Sequence, residues 1–412
     1  MTKIPTNLDK YSNFSGLSGG NKNNDSQLWY GVEQDETQAS PDWKRIGNMR
    51  LHATLPVQSS LKGVLLKSDK TVNYYLKADD WSKKSDGTES VLTGADGNVM
   101  VRKDADTFWK FEKVENINRV KCSLYPLPGF KKIRKWNIGA YEAKLVSTKL
   151  SSVAGVLPTT SRSEIQFRAD ARANGSGFNQ QWNEPYTEII WMFIVEYATS
   201  NCQKAVNYTL TAEGYKQGGL GNGVSTAVGA EWNTFNAYNP FITCGASDSL
   251  ANGSGEVSVV IANFGGAGVN RTFTVPRYRG IENLFGHIWK YVDGVSLNHL
   301  AATREIWIFD DPALIADNTS VNARLAGLLP ESGYVKTIQF GANGDIIPKS
   351  TGGSSATYFC DNLSVPTLGI GWKSMLSGGY AYAGAAAGPL FANTYYSVHE
   401  TGTLVGARLF AR

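Results

Sequence analysis

Apolar positions along this chain recur mostly in short contiguous runs or at alternate residues, the pattern of strands rather than helices. Val64-Leu65-Leu66 and Val72-Asn73-Tyr74-Tyr75-Leu76 read as short strands, and Asp86-Gly87 and Asp96-Gly97 as the turns around them. The runs 99–101, 108–112 and 119–124 continue the series. Leu127-Pro128-Gly129-Phe130 ends it, because proline brings no ladder donor. Further strands are predicted at 257–261, 273–275, 306–309 and 335–340. Helical periodicity breaks in twice. Ser161-Arg162-Ser163-Glu164 reads as a capping box for a helix over 165–173, stopped by Asn174-Gly175. A second helix starts near Glu184-Pro185 and places Ile189, Ile190, Phe193, Ile194, Tyr197 and Ala198 on one buried stripe. Beyond Asn201 the chain is rich in loops, and the glycine-dense stretch 218–223 reads as a turn, since no clear strand and helix flank it. The fold class that follows is α+β.

Composition enlarges this picture. The 412 residues hold 11 Trp, 19 Tyr and 17 Phe, enough for a large core, while charged residues reach only 18%, against about 25% usually. Forty basic and thirty-six acidic residues leave a net charge of +4, which offers no broad electrostatic footprint for nucleic acid. The apolar run 189–195 is far shorter than the roughly 20 residues of a membrane span, so no membrane insertion is expected. Residues 1–10 have no apolar core of a secretory signal, and Cys122, Cys202, Cys244 and Cys360 are too scattered for a CxxC pair. Buried free thiols and synthesis in a reducing cytoplasm are the expectation. Three regions are predicted. Residues 1–50 are dominated by Ser, Asn and Gly around 11–25 yet carry Leu28, Trp29, Tyr30 and Trp43. They read as an extended arm whose aromatics dock onto a partner, or as a flexible terminus with incidental aromatics. Residues 51–96 read as a small β-rich connecting region and 97–412 as the main domain.

The chemical inventory is sparse. His52, His287, His299 and His399 include no i, i+3 or i, i+4 pair, and neither a G-x-S-x-G elbow nor a Walker A sequence occurs. Asp310-Asp311 after a strand reads as a calcium ligand pair or a solvated loop end. Lys131-Lys132-Ile133-Arg134-Lys135 reads as a solvated basic face or a contact for an acidic partner. The informative stretch is 371–396, with six aromatics, five Gly, six Ala and Lys373 as its single charge. Rigid rings among small residues suit either a binding face, as in antibody paratopes, or a glycine-rich core segment.

Several segments in order resemble one family. Phe285-Gly286-His287-Ile288-Trp289-Lys290-Tyr291-Val292 resembles the G-N-V-W-E-W signature of the C-type lectin fold of the formylglycine-generating-enzyme type. Val405-Gly406-Ala407-Arg408-Leu409 resembles that fold's closing strand, and Trp136-Asn137-Ile138-Gly139-Ala140-Tyr141-Glu142 its early one. The helix over 186–198 stands in the place of its E-W-E-Y-A helix. The resemblance spans roughly 97–412. The enzymes of this kind use a late cysteine pair; nothing after Cys360 is cysteine, so their catalysis is not carried over. The chain is also similar to virion proteins of phages and prophages from Bacteroides-type gut bacteria. Arg277-Tyr278-Arg279-Gly280-Ile281-Glu282-Asn283, Tyr215-Lys216-Gln217-Gly218-Gly219-Leu220-Gly221 and Tyr358-Phe359-Cys360-Asp361 carry that likeness. Some such proteins look like targets of diversity-generating retroelements, and the matching stretch here is 362–396.

The resemblance implies a non-enzymatic virion component, a fibre or adhesin at the head or tail. The arm 1–50 would attach to other virion proteins. The lectin-like domain would face a host-surface glycan, capsule or outer-membrane protein through Trp372, Tyr380, Tyr382, Asn393, Tyr395 and Tyr396. A homo-oligomer, most simply a trimer, follows by analogy with fibres. No cofactor and no metal are implied. Two other readings stand beside it: a purely architectural virion protein with the same aromatics between subunits, and an oxidoreductase of the formylglycine-generating type.

Overall fold

The computed structural model describes residues 26–206 and 210–412. It is β-rich, with mixed α and β content. Strands β1 (Tyr30–Asp35) and β2 (Lys44–Gly47) precede the short helix α1 (Met49–Thr54). Then come β3 (Leu61–Leu66), β4 (Val72–Lys77), β5 (Asp80–Lys84), β6 (Asn98–Lys103), β7 (Thr107–Val114), β8 (Ile117–Ser123), β9 (Lys131–Ile133) and β10 (Trp136–Gly139). A ribbon of β11 (Lys144–Val146) and β12 (Lys149–Ser151) leads to α2 (Glu164–Arg172), β13 (Phe178–Gln180), α3 (Asn183–Tyr197) and α4 (Gly229–Asn236). Strands β14 (Gly255–Ile261), β15 (Arg271–Tyr278) and β16 (Ile281–Glu282) form a small sheet. The remainder is β17 (Trp289–His299), β18 (Arg304–Ile308), β19 (Arg324–Leu328), β20 (Gly333–Phe340), β21 (Ile346–Thr351), β22 (Asn362–Ser364), β23 (Gly371–Ser377), β24 (Ala392–Asn393), β25 (Val405–Gly406) and β26 (Leu409–Ala411).

Three larger sheets organise the chain. Their strand orders are β2-β1-β8-β7-β9, β13-β26-β10-β6-β3-β4-β5, and β19-β18-β17-β23-β24-β22-β20-β21 with β25 added beside β17. Helix α3 lies at the centre, buried at every position except Glu184. Its Trp191 meets Phe111 of β7, Phe340 of β20 and Trp43, with ring centroids 5.7 to 6.0 Å apart, and its indole N–H donates to the Gly344 carbonyl at 2.8 Å. The predicted stripe is thus one face of a helix that is enclosed all round.

Two expected boundaries do not hold. Residues 30–50 are not an arm: β1 pairs antiparallel with β8 over its whole length. Gly31 crosses β8 so closely that a Cβ there would stand 2.0 Å from the Val120 carbonyl oxygen. The Tyr30 hydroxyl donates to Gln58 Oε1 at 2.6 Å and accepts the Val57 N–H at 3.0 Å. Tyr30 and Trp43 serve this chain's own core, so their aromatic character does not mark a docking segment. The part of the predicted arm at 1–25 lies outside the described residues. Likewise 51–96 is not a separate region, because β3 pairs with β6 inside the seven-stranded sheet. The closing strand β26 inserts between β10 and β13 of that same sheet.

The first long helix forms as expected but is capped two residues later. Ser163 Oγ accepts the Gln166 N–H, and Gln166 Oε1 accepts the Ser163 N–H at 3.0 Å. Ser161 sits at φ +59° in the left-handed region, upstream of the cap. Helices α1 and α4 carry no periodicity long enough to have been predicted. Among the described residues, no helix is long and apolar enough to cross a membrane.

Candidate binding face

Strands β19, β18, β17 and β23 lie side by side, and residues directly opposite one another share a face. One face is core: Val295, Leu297, Ile306 and Ile308 are buried. The other is built from two cross-strand rows. The first runs Leu328–Glu305–Asn298–Trp372 and the second Leu325–Trp307–Ser296–Ser374. Trp307, Trp372, Glu305 and Asn298 are half-buried, while Leu325 and Leu328 are 52% and 51% exposed. Two strand spacings of about 4.8 Å and two residue steps of about 3.4 Å put the Cα atoms of Trp372 and Trp307 about 12 Å apart. The Trp307 indole N–H donates to Glu305 Oε2 at 2.9 Å, which sets the ring's orientation.

Ser296 and Ser374 of the second row are buried, and buried charge closes the face off at Ser374 and braces it from beside. Ser374, two residues from Trp372, donates its hydroxyl to Glu164 of α2. Burial, and then the adjacent Asp293 carboxylate, push the Glu164 carboxyl well above its ordinary range. Arg168 grips Asp293 at 2.6 to 3.0 Å and reaches Asp317 at 2.5 Å. At the other end of β17, Glu142 accepts from His287 Nδ1 at 2.5 Å and from Lys290 Nζ at 3.0 Å. His287 Nε2 accepts the N–H groups of Phe241 and Ile242, so the ring's proton sits on Nδ1. Burial raises the Glu142 carboxyl, but His287 and Lys290 outweigh it and hold it at about 2. Arg408 of the closing segment is buried too, and donates to the carbonyls of Gly139, Glu282 and Asn283. These networks tie strands together with nearly all their polar atoms engaged.

The six sequence-predicted contacts separate into two groups. Trp372 stands on the sheet face just described. Asn393 lies opposite Leu376, and its Oδ1 accepts the Tyr395 N–H at 2.9 Å. The Tyr396 carbonyl accepts the Ser374 N–H, so Tyr395 and Tyr396 run beside β23; Tyr395 is 51% exposed and Tyr396 half-buried. Tyr380 and Tyr382 lie beyond the opposite end of β23, more than about 17 Å of strand from Trp372. Tyr380 packs on Trp289, and Tyr382 on Trp232 and Tyr238, with their own rings 4.6 Å apart. Much of 371–396 is core: Leu376, Ala381, Ala387 and Phe391 are buried. Sequence reading missed Trp307, Glu305 and Asn298. The alternation of Glu305 and Trp307 with Ile306 and Ile308 was the available signal.

The other candidates settle as structure. Asp310 pairs with Arg324 at 3.0 Å and Asp311 accepts the Ala313 N–H at 2.9 Å. Among the described residues no group of three or more His, Cys, Asp or Glu is placed to hold a metal ion. Lys132 of the basic cluster pairs with Asp106, and Lys132 and Arg134 border an open concavity of about 870 Å³ that also contains Glu184, Asp310 and Asp311. All four cysteines are free and buried. Burial pushes the Cys202 and Cys244 thiols well up and Cys360 to about 12, the opposite of an activated thiol.

No family model matches the chain, and no curated protein matches it. Among solved structures, PvdO from Pseudomonas aeruginosa is similar over 78% of this chain and 98% of that one, at 10% identity and a TM-score of 0.29. A likeness at that score carries nothing about fold or function.

Proposed function

We propose that the chain is a non-enzymatic recognition protein of a bacteriophage virion, a fibre or adhesin whose domain has a C-type lectin-like fold of the formylglycine-generating-enzyme type. The observation that carries the recognition reading is the partly open sheet face with half-buried Trp372 and Trp307 on a rigid, internally ion-paired scaffold. Rings fixed on strands give contact area at small entropic cost. The high thiol values of Cys202, Cys244 and Cys360 support a role without cysteine chemistry. The motif resemblance supports the virion assignment, with residues 1–25 as the segment joining other virion proteins and a homo-trimer as the assembly. Host attachment is tested by binding of the purified chain to a panel of Bacteroides-type gut bacteria. Trp372→Ala is expected to weaken it by about 2 kcal/mol or more. Attachment that is unchanged when Trp372, Tyr395 and Tyr396 are all replaced by Ala would reject this assignment.

A second reading is favoured by Leu325, Leu328 and Val321, which leave apolar surface open at the β19 edge. In an architectural virion protein this edge and the aromatic segment would lie between subunits. Chemical labelling of Tyr380, Tyr395 and Trp372 in assembled particles separates the two: labelling as in the free chain supports display, and protection supports the interface.

A further inference from the structure

We infer that the face made by β18, β17 and β23 is a platform for an uncharged glycan, with Trp307 and Trp372 as stacking rings. This rests on the recognition reading above and names the class of ligand. Four features lead to it. The two tryptophans stand on one side of the sheet with their Cα atoms about 12 Å apart, a gap that a short run of linked pyranose rings spans. The C–H face of a pyranose packs on an indole, because its weakly positive hydrogens meet the negative face of the ring. Between the indoles lies Asn298, whose carboxamide has no hydrogen-bond partner within the described chain and so has donors and an acceptor free for sugar hydroxyls. Glu305 spends one oxygen on Trp307 and keeps the other for a hydroxyl donor.

Charge decides the type of glycan. The rows Leu328–Glu305–Asn298–Trp372 and Leu325–Trp307–Ser296–Ser374 contain one carboxylate and no cation. A uronate, sulfate or phosphate group would meet Glu305 with nothing to neutralise it. A neutral polyol meets no such penalty. Trp307, Glu305 and Asn298 lie outside 362–396, so the platform couples a fixed half on β17 and β18 to Trp372 on β23.

The test is an array of neutral, N-acetylated and acidic glycans probed with the purified full chain and with Trp307→Ala, Trp372→Ala and Trp307→Phe. Melting temperatures of the variants are measured alongside. Neutral glycans are expected to bind, about tenfold or more weaker in each Ala variant, with partial recovery in Trp307→Phe and unchanged melting. Binding confined to acidic glycans, neutral binding indifferent to both tryptophans, or a blank array would overturn the inference. Cell attachment by the same variants then tells which level fails. A blank array with attachment lost in the Ala variants means that the face recognises something other than sugar, and the recognition reading stands. A blank array with attachment unchanged removes the face from recognition altogether.

Discussion

Glu188→Gln removes the carboxylate that faces Lys103 inside α3's enclosure. Both side chains are fully buried, and Lys103 Nζ lies 2.8 Å from each carboxylate oxygen. The indoles of Trp109 and Trp136 donate to the same carboxylate at 2.9 and 2.6 Å, as does the Thr107 hydroxyl. A carboxamide offers one oxygen and an NH2, so one of these donors would meet another donor. Breaking a buried ion pair on one side costs about 3–5 kcal/mol, because the remaining charge is left uncompensated. An unfolding entropy of about 2.1 cal/mol/K per residue amounts to about 0.9 kcal/mol/K for this length, so a loss of about 4 kcal/mol lowers Tm by about 5 °C in a single cooperative transition. The pH dependence has a definite sign. Burial pushes Lys103 down, and Glu188 opposes that push. Folded Lys103 already releases its proton at lower pH than the unfolded chain does, and without Glu188 it does so at lower pH still. The unfolded state then binds more protons, and the variant gains stability as pH rises. Calorimetry at pH 7 and about pH 9.5 should show a deficit that narrows at the higher pH. Replacing Lys103 by Met in the same chain should recover part of the loss. A Tm change below about 1 °C, or a deficit that widens with pH, would refute the reasoning.

Three further outcomes follow from the structure. Glu142, held at about 2 against its ordinary 4.5, contributes fully above pH 4.5 and loses its contribution as pH falls toward 2. Urea unfolding of Glu142→Gln should therefore show a loss of about 3 kcal/mol at neutral pH and a flatter dependence between those two values. Ser163→Ala should cost about 1 kcal/mol by removing the true cap, whereas Ser161→Gly, at φ +59°, should cost nothing measurable in the same thermal melts. Gly31→Ala should abolish soluble expression or lower Tm sharply, since its Cβ would collide with the backbone of β8. If instead Gly31→Ala is harmless, β1 is not part of the sheet.

Short strands such as Val64-Leu65-Leu66 and Val72–Leu76 were legible because a strand's apolar period shows in five residues. The α2 helix was legible as well, yet its cap was misplaced. Ser161 and Ser163 each head an S-x-x-E or S-x-x-Q pattern, and only the left-handed backbone at Ser161 tells them apart. Pairing across sequence distance left no local mark. Nothing in Tyr30–Asp35 announces β8, and nothing in Leu409–Ala411 announces its seat between β10 and β13. The candidate face shows the same limit. Trp372 was visible as one ring in a stretch whose single charge is Lys373. Its neighbours Asn298, Glu305 and Trp307 come from β17 and β18, and only the strand register brings them to it. The register also explains why Tyr380 and Tyr382 fall elsewhere: the turn at Gly378 and Gly379 carries the chain past the end of β23.

Oxidative footprinting of the chain bound to intact Bacteroides-type cells, read by mass spectrometry at single residues, tests recognition by the β18–β17–β23 face most directly. The account predicts that Trp307 and Trp372 become protected on the cell surface while exposed Tyr125, in the loop after β8 of another sheet, is oxidised as in free solution. Equal oxidation of both tryptophans in the bound and free chain would contradict it.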